Sequence, residues 1–155
     1  HGSSAAGLRI LQNNLEPDKD LIKAHLMPVA QIDFAKQISE QIQEDYAMMD
    51  TSDGLFDALF KIGSASECTM SVDFERILYD PKIKEYFSDY KDLILFGGED
   101  YQIVATVPVE LLPSLKDYII IGEVLPKEDC VIKLNTENNV EKFNELGNKC
   151  FNHFD

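Results

Sequence analysis

Residue types that would support a zinc site or a disulfide framework are scarce in this sequence. Its three cysteines, Cys68, Cys130 and Cys150, are widely spaced and form no CxxC pair. They are too few for the framework that staples small secreted domains. The three histidines are equally dispersed and form no HExxH motif. We therefore expect reduced, structural cysteines and no zinc hydrolase activity.

Long apolar runs are also absent. No stretch approaches the ~18 residues that a membrane helix needs, so we expect no membrane partner. Residues 1–7, HGSSAAG, lack the basic region and following apolar stretch of a secretory signal. The sequence therefore favours a cytoplasmic, soluble protein.

Basic residues are outnumbered two to one in this chain. Its 14 lysines and arginines face 28 acidic residues, which gives a formal net charge of −14. Nucleic-acid phosphates are bound by clusters of lysine and arginine, so we expect no nucleic-acid partner. The acidic surface can serve solubility alone, or divalent cations can bridge its carboxylates to a phosphorylated ligand. Composition leaves both interpretations open.

The common nucleotide-binding fingerprints are missing as well. The sequence contains neither GxGxxG nor GxxxxGKS, so it indicates no Rossmann or P-loop site. An ATP site in this chain must be built differently. The 155 residues are 45 % hydrophobic and 27 % charged, values typical of one globular domain.

Hydrophobic periodicity predicts a mixture of helices and strands. The predicted helices span about 5–11, 17–26, 32–42, 55–62, 81–87, 90–96, 109–115 and 140–146. The predicted strands span 46–49, 68–74, 100–107, 118–124 and 130–134. Because the two types do not alternate strictly, the pattern favours an α+β domain, with a mixed β-sheet covered by helices, over a doubly wound sheet.

The first motif with chemical potential lies where a predicted strand meets a predicted helix. Asp50 ends the strand, Ser52 follows, and Asp53 precedes Gly54 at the start of the helix. Mg²⁺ prefers such oxygen ligands, and a helix N-terminus offers N–H groups to an anion. The simpler interpretation is helix capping, since serine and aspartate are preferred caps. The pattern alone favours capping.

The second motif combines glycines and acids. Gly97 and Gly98 let the backbone pass close to a ligand, and Glu99 and Asp100 directly precede a predicted strand. A tight turn with solvated acids is the alternative. Adjacent buried carboxylates need cations or donors, so two such junctions in one small domain are more suggestive than either alone.

Both motifs belong to a longer series that resembles the thiamine-monophosphate kinases. The matching strings are GSSAAGL at 2–8, HLMP at 25–28, AMMDTSDGL at 47–55, GGEDY at 97–101, IGEV at 121–124 and FNHF at 151–154. The resemblance covers nearly the whole chain. It implies the fold of the carboxy-terminal domain of aminoimidazole ribonucleotide synthetase, which belongs to the same superfamily.

The resemblance also implies an activity and its residues. Family members use ATP and Mg²⁺ to convert thiamine monophosphate into thiamine diphosphate. By position, Asp50 and Asp53 are expected to bind Mg²⁺, and Ser52 to contact an ATP phosphate. Glu99 and Phe151 are expected to contact the thiamine moiety. No catalytic residue acting as a covalent nucleophile is expected, because the terminal phosphate passes directly from ATP to the substrate phosphate.

Nothing in residues 1–155 resembles the family's amino-terminal domain. That domain carries most of the metal-binding aspartates, much of the ATP site and the contacts of the usual homodimer. We therefore expect this chain to be a single C-terminal domain that lacks full kinase activity alone. Two alternatives stay open: another ATP-dependent superfamily member with a different substrate, and a noncatalytic module that binds a phosphorylated ligand.

Overall fold

The computed structural model describes residues 1–43 and 45–150, apart from the side chain of Asn148, as a set of short helices and strands. The helices are α1 Ser3–Gln12, α2 Lys19–Leu26, α3 Ile32–Gln41, α4 Leu55–Ala65, α5 Lys82–Tyr86 and α6 Tyr90–Phe96. The strands are β1 Ala47–Asp50, β2 Cys68–Asp73, β3 Ile103–Thr106, β4 Gly122–Pro126, β5 Ile132–Asn135 and β6 Val140–Phe143. Short 3-10 turns span Phe74–Arg76, Val109–Ser114 and Gly147–Lys149.

The strands form two sheets. The larger has the order β4-β2-β5-β6, in which β2 runs antiparallel to β4 and parallel to β5, and β6 runs antiparallel to β5. The smaller is an antiparallel pair of β1 and β3, with Asp50 opposite Ile103. The prediction of an α+β fold with a mixed sheet is therefore confirmed.

Helix α4 supplies the centre of the largest hydrophobic core. Its apolar stripe includes Leu55, Phe56 and Leu59, all buried. They share one cluster with Ile132 of β5 and with Phe96 at the end of α6. Because α4 packs on both the sheet and α6, the two motif-bearing ends of β1 and α6 are held by the same core.

A second core joins the first two helices to α5 and α6. Ala6, Ile10, Leu21, Ile83 and Leu93 form this cluster. Helix α2 begins where the sequence predicts, and a side chain caps it: the carboxylate of Asp18 accepts hydrogen bonds from the backbone N–H groups of its second and third residues. Such a cap compensates donors that have no partner inside the helix.

One predicted strand is shorter than its hydrophobic run. The run 118–124 was expected to be a buried strand, but β4 begins only at Gly122. Ile119 and Ile120 are 51 % and 44 % exposed. Because β2 ends at Asp73, whose N–H donates to the carbonyl of Ile121, the earlier residues have no strand to pair with. The prediction of a strand over 118–121 is wrong, and so is the prediction of burial over 122–124, since no residue of β4 is buried.

The predicted closing helix at 140–146 is also wrong. Residues Val140–Phe143 form β6, the second strand of a hairpin with β5. Thr136 and Asn139 close the turn, with the Thr136 N–H donating to the Asn139 carbonyl at 2.9 Å. The helical spacing of the apolar residues is a weak local signal, and the hydrogen bonds of the sheet override it.

The helices in the described part of the chain are all short. None of them is both long and apolar enough to cross a lipid bilayer.

Candidate functional site

The first motif forms a tight turn between β1 and α4. The Thr51 N–H donates to the Gln102 carbonyl at 2.9 Å, and the Gln102 N–H donates to Thr51 Oγ1 at 3.1 Å. These bonds extend the pairing of β1 with β3 by one residue. The exposed Asp50 carboxylate accepts a hydrogen bond from Ser52 Oγ at 3.2 Å. The turn therefore presents oxygen side chains at the end of the small sheet.

Gly54 occupies the N-cap position of α4. It has no side chain with which to cap, and Ser52 and Asp53 precede the cap position. Its φ is +109°, a backbone conformation that L-residues rarely adopt. A Cβ built at Gly54 would lie 2.9 Å from the carbonyl oxygen of Phe96, directly before the second motif. The glycine thus lets the two motifs approach each other.

Replacing Gly54 with alanine should therefore destabilise the domain by about 1–3 kcal/mol, through backbone strain and the clash with Phe96. Urea denaturation of the folded protein measures the loss. Gly147→Ala is the matched control, since Gly147 also has a positive φ, of 57°, but a Cβ added there would meet nothing within 4 Å. Equal losses in the two variants would contradict the close approach at Gly54.

The second motif is an irregular loop between α6 and β3. Glu99 and Tyr101 have positive φ angles of 67° and 50°. Between them, the buried carboxylate of Asp100 accepts hydrogen bonds from the backbone N–H groups of Gly2 at 2.5 Å and Ser4 at 2.9 Å. Charge-assisted bonds to a helix N-terminus stabilise such a loop against its backbone strain. Asp100 therefore fastens the loop to the first turn of α1.

The two motifs, nearly fifty residues apart in the sequence, meet in space. The Glu99 N–H donates to the Ser52 carbonyl at 2.7 Å, and the Tyr101 hydroxyl donates to Glu99 Oε2 at 3.3 Å. The charge of Glu99, followed by partial desolvation and this hydrogen bond, raises the pKa of the Tyr101 hydroxyl. Asp50 and Asp53 raise it further. Three carboxylates therefore act on one hydroxyl group.

Asp53 also takes part in an ion-pair network on α4. Lys61 Nζ lies 3.2 Å from Asp53 Oδ2 and 2.6 Å from Asp57 Oδ2. The interaction with Asp57, and to a smaller degree that with Asp53, raises the pKa of the Lys61 ammonium group. Lys61 thus places a positive charge beside Asp53, one of the two aspartates of the first motif.

The side-chain types of these donors suit a magnesium ion. Asp50 and Asp53 provide carboxylates from one turn, Ser52 adds a hydroxyl group, and Glu99 adds negative charge nearby. Mg²⁺ is a hard cation that binds through one or two protein carboxylates, water and substrate phosphates. The sequence-predicted residues 50, 52, 53 and 99 are therefore brought together, whereas Phe151 lies outside the described residues.

A cleft of about 370 Å³ opens beside the second motif. Helices α1 and α6 form its walls, and Gly97, Gly98 and Glu99 form part of its rim. Inside it, Ser4 Oγ and His25 Nδ1 lie 3.0 Å apart. Ser4 and His25 lie outside both acid and glycine motifs, although they fall within the family-like strings at 2–8 and 25–28. The cleft lies where a ligand could contact Glu99.

Among the described residues, the group of three acids, cysteines or histidines whose possible ligand atoms lie within 4.8 Å of one another is Glu128, Asp129 and Cys130, between β4 and β5. Lys133 pairs with Glu128 at 3.2 Å, and Lys142 with Asp129 at 2.8 Å. Burial raises the pKa of the Cys130 thiol, which disfavours the thiolate that a metal would need. Without the thiolate the group offers only two exposed acids, so we assign no metal centre to it.

Comparison with known proteins relates the whole arrangement to one enzyme family. The thiamine-monophosphate kinase of Aquifex aeolicus is 34 % identical over 131 residues, which cover 79 % of this chain and 42 % of that protein. The thiamine-monophosphate kinase of Escherichia coli K12 is 38 % identical over 116 residues, covering 69 % and 34 %. The chain thus spans about two fifths of the length of these relatives. No protein-family model matches it.

Solved structures agree with the sequence relatives. AaThiL complexed with AMPPCP and TMP matches with a TM-score of 0.73 and 31 % identity, over 99 % of this chain and 48 % of that chain. A thiamine-monophosphate kinase from Stenotrophomonas maltophilia, at 20 % identity and a TM-score of 0.72, covers 88 % and 47 % and supports the fold. The expected architecture, that of the aminoimidazole ribonucleotide synthetase C-terminal domain, is confirmed.

Proposed function

Since this chain belongs to the thiamine-monophosphate kinase family by both sequence and fold, we propose that it is the carboxy-terminal domain of such an enzyme. The parent enzyme transfers the terminal phosphoryl group of ATP to thiamine monophosphate and yields thiamine diphosphate. The neighbour's complex with AMPPCP and TMP supports this pair of ligands.

The observation that carries the proposal is the meeting of the two motifs. The bond from the Glu99 N–H to the Ser52 carbonyl places the second motif against the first. In our assignment, Asp50 and Asp53 hold Mg²⁺ and Ser52 contacts an ATP phosphate. When bound, Mg²⁺ neutralises negative charge on the phosphates during transfer.

The cleft beside the second motif suits the thiamine end of the substrate. Glu99 lies on its rim, so we assign this carboxylate to the thiamine moiety, whose thiazolium ring is cationic. The sequence resemblance gives Phe151 a packing role against the same moiety. Phosphate and thiamine contacts would then lie on adjoining sides of Glu99, which matches the two ends of thiamine monophosphate.

The work of these residues is positioning. Phosphoryl transfer between two phosphates needs no nucleophilic side chain, since the acceptor oxygen belongs to the substrate. The Asp100 bonds to α1 and the β1–β3 pairing hold Glu99 and Asp50 in place before the ligands arrive. Preorganised groups of this kind lower the barrier without reorganising during the reaction.

Other parts of the site belong to the remainder of the parent. We propose that an amino-terminal domain completes the ATP and metal sites and that the parent is a homodimer, so this chain alone is inactive as a kinase. We also assign the enzyme to the cytoplasm. Its three cysteines are unpaired thiols, as is usual in a reducing compartment.

The test is to measure thiamine diphosphate formed from thiamine monophosphate and MgATP by the full-length parent and by this chain. Product from the parent alone is the expected result, because the chain lacks part of the ATP site. If the folded parent bound thiamine monophosphate without consuming ATP, the noncatalytic module would be favoured. If it consumed ATP only with another acceptor, a different superfamily substrate would be favoured.

A further inference from the structure

Lys61 joins the proposed metal site to the body of α4. Its ammonium group lies 2.6 Å from Asp57 Oδ2, one helical turn back, and 3.2 Å from Asp53 Oδ2, in the turn before the helix. Asp57 is the more buried of the two acids, with its side chain 19 % exposed, against 34 % for Asp53. Lys61 thus donates a hydrogen bond to the more open Asp53 and forms a close ion pair, without hydrogen-bond geometry, with the more buried Asp57.

We propose that Lys61 is a positioning residue: an internal cation that holds Asp53 in the metal-free protein and competes with the divalent cation for its carboxylate. The inference rests on the proposed function, which assigns Asp53 to Mg²⁺. In this arrangement Lys61 lowers the affinity of the site for the metal alone. The site then fills more readily when a nucleotide brings its own phosphate ligands to the ion.

The two partners of Lys61 explain how it can release Asp53 without leaving the site. The pair with Asp57 has the i,i+4 spacing that stabilises helices, and its contact distance is the shorter one. Lys61 therefore keeps a partner when the Asp53 carboxylate turns toward a metal. A single lysine can restrain Asp53 without blocking the site.

The experiment is a titration of the full-length parent with Mn²⁺ as the probe, read from the electron paramagnetic resonance signal of the free ion. Lys61→Met should tighten Mn²⁺ binding about threefold to fivefold, because it removes one competing charge that lies 3.2 Å from Asp53 Oδ2. Lys61→Arg keeps the charge and should stay within about twofold of the wild type. This readout does not depend on turnover.

Lys82→Met provides the matched control. Lys82 also bridges two aspartates, with Nζ 2.9 Å from Asp18 Oδ2 and 3.1 Å from Asp20 Oδ2, but these lie at the start of α2. The Lys82→Met change removes the same charge from a bridging lysine outside the proposed metal site. It should leave the Mn²⁺ affinity unchanged. Circular dichroism of every variant confirms that it is folded. If Lys61→Met does not fold, Lys61→Gln takes its place, since glutamine is neutral but keeps a polar group near Asp57. The same tightening of Mn²⁺ binding is expected.

Asp53→Asn separates the failure of this inference from the failure of the proposed function. If Asp53→Asn weakens Mn²⁺ binding while Lys61→Met changes it no more than Lys82→Met does, the metal assignment stands and the role of Lys61 is overturned. If Asp53→Asn leaves Mn²⁺ binding unchanged, the metal assignment fails, and the Lys61 inference fails with it. A gain in Lys61→Met that disappears in the double variant with Asp53→Asn supports the inference.

Discussion

Asp50→Asn in the proposed full-length parent should reduce turnover of thiamine monophosphate by roughly two orders of magnitude or more, because the residue that we assign to the metal becomes a neutral amide. The Mg²⁺ concentration needed for half-maximal rate should rise as well. Asparagine keeps the size of the side chain and an oxygen that can accept the Ser52 hydrogen bond. Steady-state kinetics at several Mg²⁺ concentrations measure both effects.

Folding should be almost unaffected by this change. The Asp50 side chain is exposed, and substitutions at exposed positions usually alter stability by less than about 0.5 kcal/mol. Asp129→Asn is the matched control, since Asp129 is an exposed aspartate on the β4–β5 connection and pairs with Lys142. It should turn over at the wild-type rate. Normal turnover in Asp50→Asn would remove Asp50 from the metal site.

Phe56→Ala should have the largest effect on stability, about 3–5 kcal/mol, because it deletes a fully buried aromatic ring. The Phe56 ring makes edge-to-face contacts with Phe96 and Phe143, each with centroids 5.3 Å apart. Phe96 directly precedes Gly97, the first residue of the second motif. Loss of the ring should therefore loosen the second motif as well as the core.

Hydrogen exchange of the α4 amides in the parent protein measures this effect as a fall in the opening free energy of the helix. Phe60→Ala is the matched control, since Phe60 lies on the same helix but is only partly buried against the same core. Its loss should be clearly smaller. Similar losses at both positions would show that the contacts of Phe56 with its aromatic neighbours add little.

Much of the secondary structure followed from local sequence signals. Helix α4 was predictable because Leu55, Leu59 and Ile62 recur at helical spacing after Gly54. Strand β1 was predictable because a short apolar run stops at an aspartate. In α4 the pattern that defines the helix also buries it, so local and tertiary preferences agree, whereas β1 is only partly buried.

The failures occurred where a partner strand decides the outcome. The 118–121 run is as hydrophobic as a buried strand, yet it extends past the end of β2 and gains no pairing. Residues 140–143 have helical spacing but lie beside β5, which offers backbone hydrogen bonds along their length. A single sequence carries no information on which strands become neighbours.

The candidate site shows the same difference between what local sequence signals indicate and what tertiary contacts decide. The sequence indicated the family and the chemistry that we propose, because the carboxylates and glycines of the motifs at 47–55 and 97–101 match one family. Only the tertiary structure decided that the motifs adjoin. The β1–β3 pairing, the Glu99 bond to Ser52 and the Asp100 bonds to α1 bring them together. Residue types are fixed by local sequence, whereas proximity depends on hydrogen bonds and packing between distant segments.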